Sequence, residues 1–269
     1  MKTIHLAALI LAPGILHAQH TPDATTRAGE ADLAQQLANP VASLISVPIQ
    51  GNVDFGVGPG DGTRSVTNIQ PVIPFELSEH WNLISRTILP VIDQEGIAAT
   101  GDSLDEFGLG DTVQSFFISP KSSDPIWGLG PVFLIPTATD PLLGSEQWGA
   151  GPTAILLKQS GHWTYGALAN HLWSFAGDDS RTDVNATFLQ PFVSYITDTK
   201  TTFGLSLEST YDWDGGEWNV PANFVISQLF KIGDQPVQIF GGVRYYLDAP
   251  DGGPDWGLRF GLTFLFPKS

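Results

Sequence analysis

Along the last stretch of the chain, Pro254 to Phe266 (PDWGLRFGLTFLF), large apolar residues recur at every second position. Trp256, Leu258, Phe260, Leu262, Phe264 and Phe266 fall on one set of positions. Asp255, Gly257, Arg259, Gly261, Thr263 and Leu265, mostly small or polar, fall on the other. A period of two sends these sets to opposite faces of a strand. The apolar face suits a tilted strand crossing a bilayer, which needs about 9–11 residues. An arginine on the other face fits a wet lumen better than a dry core.

Twelve such segments are predicted from residue 41 onward, at 42–55, 64–76, 80–92, 107–118, 126–137, 147–158, 162–174, 184–196, 201–213, 218–230, 236–247 and 255–266. In the first, Ile45, Val47, Ile49, Val53 and Phe55 oppose Ser46, Gln50, Asn52 and Asp54. In the second, Ile69, Ile73, Phe75 and Leu77 oppose Asn68, Gln70 and Glu76. In the ninth, Phe203, Leu205, Leu207, Tyr211 and Trp213 oppose Thr202, Ser206, Glu208, Thr210 and Asp212. In the eleventh, Val237, Ile239, Val243, Tyr245 and Leu247 oppose Gln238, Gly242 and Arg244. The third, fourth, sixth and seventh alternate poorly. Linkers after even segments are short and those after odd segments longer, the asymmetry of outer-membrane barrels. All eight tryptophans fall near predicted strand ends, as two aromatic girdles would have them. The expectation is an all-β, transmembrane, antiparallel up-and-down barrel of about twelve strands. Prolines inside the segments, such as Pro48, Pro71, Pro131, Pro152 and Pro191, count against it. In a closed barrel they require bulges.

Upstream, Met1 to Ala18 has one lysine, a short apolar core and a small final residue, the pattern of a secretory signal peptide at 1–18. Residues 19–40 are polar and Ala-rich. Glu30 to Ala38 favours a short helix that Asn39–Pro40 would stop. This segment sits in the periplasm or enters the barrel mouth as a plug, and 41–269 forms the barrel. Export and a barrel together predict residence in the outer membrane of a Gram-negative cell. Its lipid, the barrel-assembly machinery and a small-molecule solute are the expected partners.

Composition sharpens this. No apolar run after the N-terminus is long enough for a membrane helix, while alternation dilutes hydropathy to a mean of +0.04. The formal charge is −16, and loss of Lys2 with the leader takes it to −17. An acidic chain without a basic stripe argues against nucleic acid. Acidic residues such as Asp61, Asp140, Asp178 and Asp251 gather on the longer linkers. Lys121, Lys158, Lys200, Lys231 and Lys268 lie at or near the other end. Cysteine is absent, so thiol chemistry is excluded.

Several segments together resemble a known family: 38–50 (ANPVASLISVPIQ), 108–121 (GLGDTVQSFFISPK), 130–140 (GPVFLIPTATD), 147–158 (QWGAGPTAILLK), 173–192 (WSFAGDDSRTDVNATFLQPF) and 250–268 (PDGGPDWGLRFGLTFLFPK). They are similar to the outer-membrane transporters grouped under the meta-pathway of phenol degradation, over residues 38–268. The resemblance implies an outer-membrane barrel that moves small, including aromatic, compounds, with no catalytic residues to carry over. The end also resembles a C-terminal aromatic assembly signal, although Phe266 is followed by Pro267, Lys268 and Ser269.

No motif carries catalytic, metal or cofactor chemistry. His162 and His171 lie nine positions apart, on opposite faces of one segment. No nucleophile motif accompanies them or His80. Asp178–Asp179 and the run from Asp248 to Gly253 match no calcium loop and read as acidic turns. What remains is the inner wall. Gln50, Asn52, Asn68, Gln70, Glu208, Gln238, Arg244 and Arg259 share the polar face, with Arg86 joining them on a poorly alternating segment. These residues form a solute pathway, or their arginines and carboxylates brace the wall. Arg244 and Arg259, on neighbouring strands, either pair with Glu208 across the bore or draw an anionic or aromatic solute. A passive transporter or narrow channel is the first expectation. A lipid-acting barrel enzyme and an adhesive barrel displaying acidic loops are the alternatives.

Overall fold

The computed structural model describes residues 33–98 and 105–267. The predicted leader, most of the 19–40 segment and Lys268 lie outside them. Every strand pairs antiparallel with its successor. In chain order they are β1 (Ile45–Val57), β2 (Gly62–Ile69, then Val72–Glu76), β3 (Trp81–Glu95), β4 (Glu106–Leu109, then Thr112–Pro120), β5 (Ile126–Ile135) and β6 (Gln147–Ser160). There follow β7 (Trp163–Gly177), β8 (Asn185–Ile196), β9 (Thr201–Leu207, then Ser209–Asp212), β10 (Glu217–Asn219, then Pro221–Ile232), β11 (Gln235–Tyr246) and β12 (Trp256–Phe266). β12 returns to pair with β1, from Ile45 opposite Phe266 to Phe55 opposite Trp256, and the sheet closes. The fold is a twelve-stranded up-and-down barrel, and its closure leaves no edge exposed.

Alternation sets which residues face out. Ile239, Val243, Leu258 and Phe260 are exposed on the outer wall, while Arg244 and Arg259, one or two positions away, are buried inside. Aromatic residues ring both ends. At the end that carries the termini, Trp81 meets Trp127 edge-on at 5.8 Å and Trp163 meets Tyr195 at 4.8 Å. At the loop end, Phe55 stacks on Trp256 at 4.6 Å and Tyr211 lies between Trp213 and Trp218 at 4.9 and 4.8 Å.

Most of the prolines require no bulge; Pro90 is the exception, at a one-residue step in the pairing of β3 with β4. Pro131 stands directly opposite Pro152 and Pro191 opposite Ala167, with no shift of register at either. In a ladder each residue turns its N–H toward one neighbour only, so a proline removes a single bond. Its carbonyl still accepts: Gln70 N–H donates to Pro48 O at 2.8 Å and Glu208 N–H to Pro221 O at 3.0 Å. The other register shifts lie elsewhere, at Phe55/Val57 and Trp148/Gly149. On β3 the pairing steps from Val91–Leu109 to Ile88–Val113 across Gly110–Asp111.

The inner wall is not polar throughout. At the termini end it carries a dry core. Ile84 (β3), Phe117 (β4), Ile155 and Leu157 (β6) and Leu168 (β7) point inward and pack with Val41. These four strands are the ones whose sequences alternate poorly, because their inner faces are apolar at this end. β3 and β4 blur the pattern from outside as well. Gln114 faces outward and donates to Ser85 Oγ, Arg86 O and Ser115 O, and it accepts from Thr87 Oγ1 at 2.6 Å. Its polar atoms are thus satisfied on the lipid-facing wall.

A short helix over residues 33–37 packs into this end. Ala34 and Ala42 pack with Leu44, Ile196, Leu229 and Leu265, flanked by Leu33, Leu37 and Ala38. Leu265, on the polar set of β12 by sequence, is fully buried because it serves as the helix's seat. Asn39 ends the helix by accepting the Val41 N–H at 3.0 Å, and Gln159 Nε2 donates to Gln35 O at 2.8 Å.

Candidate functional site

Above the dry core the bore becomes polar, and four of the chain's six arginines point into it: Arg64 (β2), Arg86 (β3), Arg244 (β11) and Arg259 (β12). Two of them are held by carboxylates. Arg259 donates Nη1 and Nη2 to Oε1 and Oε2 of Glu208, both at 2.7 Å, and Nε to Asn52 Oδ1 at 2.8 Å. A planar guanidinium meets a carboxylate well in this two-pronged geometry. The bridge ties β12 to β9 across the bore, and Asn52 anchors it on β1. Gln190 Nε2 also reaches Glu208 Oε1, at 3.4 Å. Toward the loops, Arg244 Nε lies 3.5 Å from Asp54 Oδ1, and Nη2 donates to Tyr246 OH at 3.0 Å.

The other two arginines have no ion pair among the described residues. Arg86 donates Nη2 to Gln70 Oε1 at 3.2 Å, a neutral partner. Arg64 stands directly opposite Asp54 across the β1–β2 ladder without closing an ion pair to it, and its buried Nε has no hydrogen-bond partner. Four guanidinium groups therefore share two buried carboxylates, Asp54 and Glu208, a surplus of two positive charges among the buried groups of the bore, while the exposed Asp251 lines the loop side of the same cavity.

Gly257 contributes by what it lacks. A Cβ there would run into Asp54 Oδ1 and the Val53 carbonyl. Glycine lets the Asp54 carboxylate lie against β12, where it faces Arg244.

The interior divides into three cavities in series. The loop-side cavity, about 570 Å³, is lined by Gln50, Asn52, Asn68, Glu208, Arg244 and Arg259, together with Asp54, Arg64 and Tyr246. The middle one, about 250 Å³, lies among Gln50, Gln70, Gln238 and Arg259. The termini-side one, about 350 Å³, lies beneath the helix and includes Gln70, Gln238 and Arg86. All nine residues singled out from the sequence thus line this interior. Parity did not single out Arg64, Gln190 and Tyr246 there. Tyr246 is the even-numbered neighbour of Arg244, and its aromatic ring hid it in a segment read for polar residues. Arg64 opens its predicted segment, where turn and strand are indistinguishable.

Outside the bore, His171 faces outward. Its Nδ1 lies 2.7 Å from Thr187 Oγ1, which also accepts from Trp213 Nε1 at 2.8 Å. His162 Nδ1 lies 2.6 Å from Ile196 O. Among the described residues no cluster of His, Asp and Glu is arranged to hold a metal.

No protein-family model matches the chain, and no curated protein matches it either. Solved structures do. A crystal structure of an outer membrane channel from Pseudomonas putida F1 is similar at a TM-score of 0.62 and 18% identity, over 83% of this chain and 96% of that one. The NanC porin is similar at a TM-score of 0.49 and 14% identity, over 82% of this chain and 98% of that one. The outer membrane phospholipase dimer of Salmonella typhi is similar at 0.48 and 10% identity, over 88% of this chain and 96% of that one. The first of these likenesses shows the fold, that of an outer-membrane barrel.

Proposed function

We propose that this barrel is a passive outer-membrane channel for small solutes, with a preference for anions. The observation that carries this reading is the excess of guanidinium groups in the bore: four arginines share the buried carboxylates Asp54 and Glu208, and Arg64 and Arg86 close no ion pair among the described residues. In a narrow lumen with low-dielectric walls, fixed positive charge raises the local concentration of anions and excludes cations. Arg244 and Arg259 hold the wall and narrow the bore through Asp54 and Glu208, and the unpaired arginines set the sign. In this reading the termini face the periplasm, and the protein reaches the membrane by export and barrel assembly. The narrower kinship with transporters of the phenol meta-pathway rests on the segments of residues 38–268, and it suggests solutes with an aromatic or apolar body.

The test is the reversal potential of single channels in a planar bilayer under a potassium chloride gradient. The native protein is expected to favour chloride, and the double variant Arg64→Gln, Arg86→Gln to lose that preference. A folded double variant with the native reversal potential would sink the proposal.

A further inference from the structure

The termini-side cavity has a composition unlike the rest of the bore. Part of its wall is apolar: Leu37 on the helix, Leu44 beneath it, and Leu168, Phe192 and Val72 on the barrel. Polar side chains interleave with it: Arg86 stands opposite Val72 on the neighbouring strand, Gln190 opposite Leu168, and Gln70 lies close by. At about 350 Å³ it lies in the size range of small-molecule sites, which are mostly apolar with a few placed polar groups.

The charge balance of this chamber is specific. Glu208, the nearest carboxylate, already accepts both prongs of Arg259 at 2.7 Å. Arg86 is left with the neutral oxygen of Gln70. A cation beside an apolar wall is stabilised by an anion that brings its own hydrogen-bond acceptors. One unpaired guanidinium calls for one negative charge, since a second would stand uncompensated. The rest of such a ligand must be apolar to cover Leu37, Leu44 and Phe192.

We infer that the chamber beneath the 33–37 helix is a binding site for a small amphipathic monocarboxylate, an acid with an aliphatic or aromatic body. Its carboxylate sits on Arg86 and its body lies against the helix and the dry core. The inference deepens the channel reading and rests on the bore being the path of the solute. The site belongs to the interior chamber, so its ligand is the free acid and not a lipid of the surrounding bilayer.

Equilibrium binding of labelled octanoate to the full chain in lipid nanodiscs tests this, with empty nanodiscs subtracted for partition into lipid. Saturable binding to the native protein is expected. Neither acetate, the head alone, nor octanol, the body alone, should displace octanoate at equal concentration. Arg86→Gln should weaken binding at least tenfold, and Arg86→Lys should retain most of it. Leu37→Asn, on the helix, should weaken octanoate without creating acetate binding. Binding no greater than that of empty nanodiscs overturns the inference, and so does undiminished affinity in Arg86→Gln. Displacement by octanol as readily as by octanoate also overturns it, since the chamber would then be merely greasy. No ionic current enters this measurement, so its failure is distinguishable from failure of the channel reading.

Discussion

Glu208 is the residue on which the charge pattern of the bore turns. It occupies both prongs of Arg259, so its carboxylate cancels one cation and fixes another in place. Replacing it with Gln keeps the size, leaves Arg259 with neutral partners and raises the mid-bore surplus from two charges to three. Charge-assisted hydrogen bonds contribute about 1.5–3 kcal/mol each, so a loss of that order is expected in urea unfolding. Anion preference should rise at the same time, as read from the reversal potential. A stability loss with unchanged selectivity would make the bridge a brace alone. Glu208 and Arg259 were legible in the sequence because parity alone places them inside. Their contact was legible only as one of two alternatives, pairing or solute binding. It spans three strands, and parity gives a face without a distance. Sequence reasoning left Arg244 free to pair with Glu208 as well, whereas Asp54 holds it, and only because Gly257 leaves room for that carboxylate.

At the scale of the strand, the faces can be tested on neighbouring residues of β11. Ile239 is exposed on the outer wall, and Gln238, the next residue, lines the interior cavities. An arginine at 239 stands in hydrocarbon near mid-strand and should cost about 2–4 kcal/mol. An arginine at 238 meets polar space and should cost much less. Equal losses in an unfolding titration would mean that the assigned faces are wrong. Thr263 also faces inward and lines the middle and termini-side cavities, so Thr263→Arg should likewise cost less than a charge on the outer wall. Strands with one polar face were readable to within a few residues. β3, β4, β6 and β7 were placed well but their faces were not readable, because Ile84, Phe117, Ile155 and Leu168 look outward by hydropathy and lie inward. A barrel that keeps a dry core at one end defeats the rule that the inner face is the polar one. The prolines misled for a simpler reason. One missing N–H is a local loss, and neighbouring carbonyls continue the ladder.

For the molecule as a whole, charge is sorted by end as well as by face. Exposed Asp61, Asp178, Asp179, Asp214 and Asp251 crown the loop end. At the termini end Lys121, Lys158, Lys200 and Lys231 stand among Glu76, Glu79, Asp124, Asp198 and Asp234 and nearly balance them, and the cationic bore lies between. An anion approaching through the loops climbs a repulsive potential before it reaches Arg64. One approaching from the termini end meets a nearly balanced rim. On the channel reading the two directions are therefore inequivalent even for a passive pore, and the barrel is expected to rectify. Its current–voltage curve in a planar bilayer should be asymmetric at low salt. It should straighten in 1 M salt, where screening shortens the reach of the loop carboxylates to about 3 Å. A curve equally straight at both salt concentrations would mean that the crown of carboxylates does not act on ions entering the bore. An asymmetry that fades with salt would make direction a property of this protein's surface charge, with no moving part required.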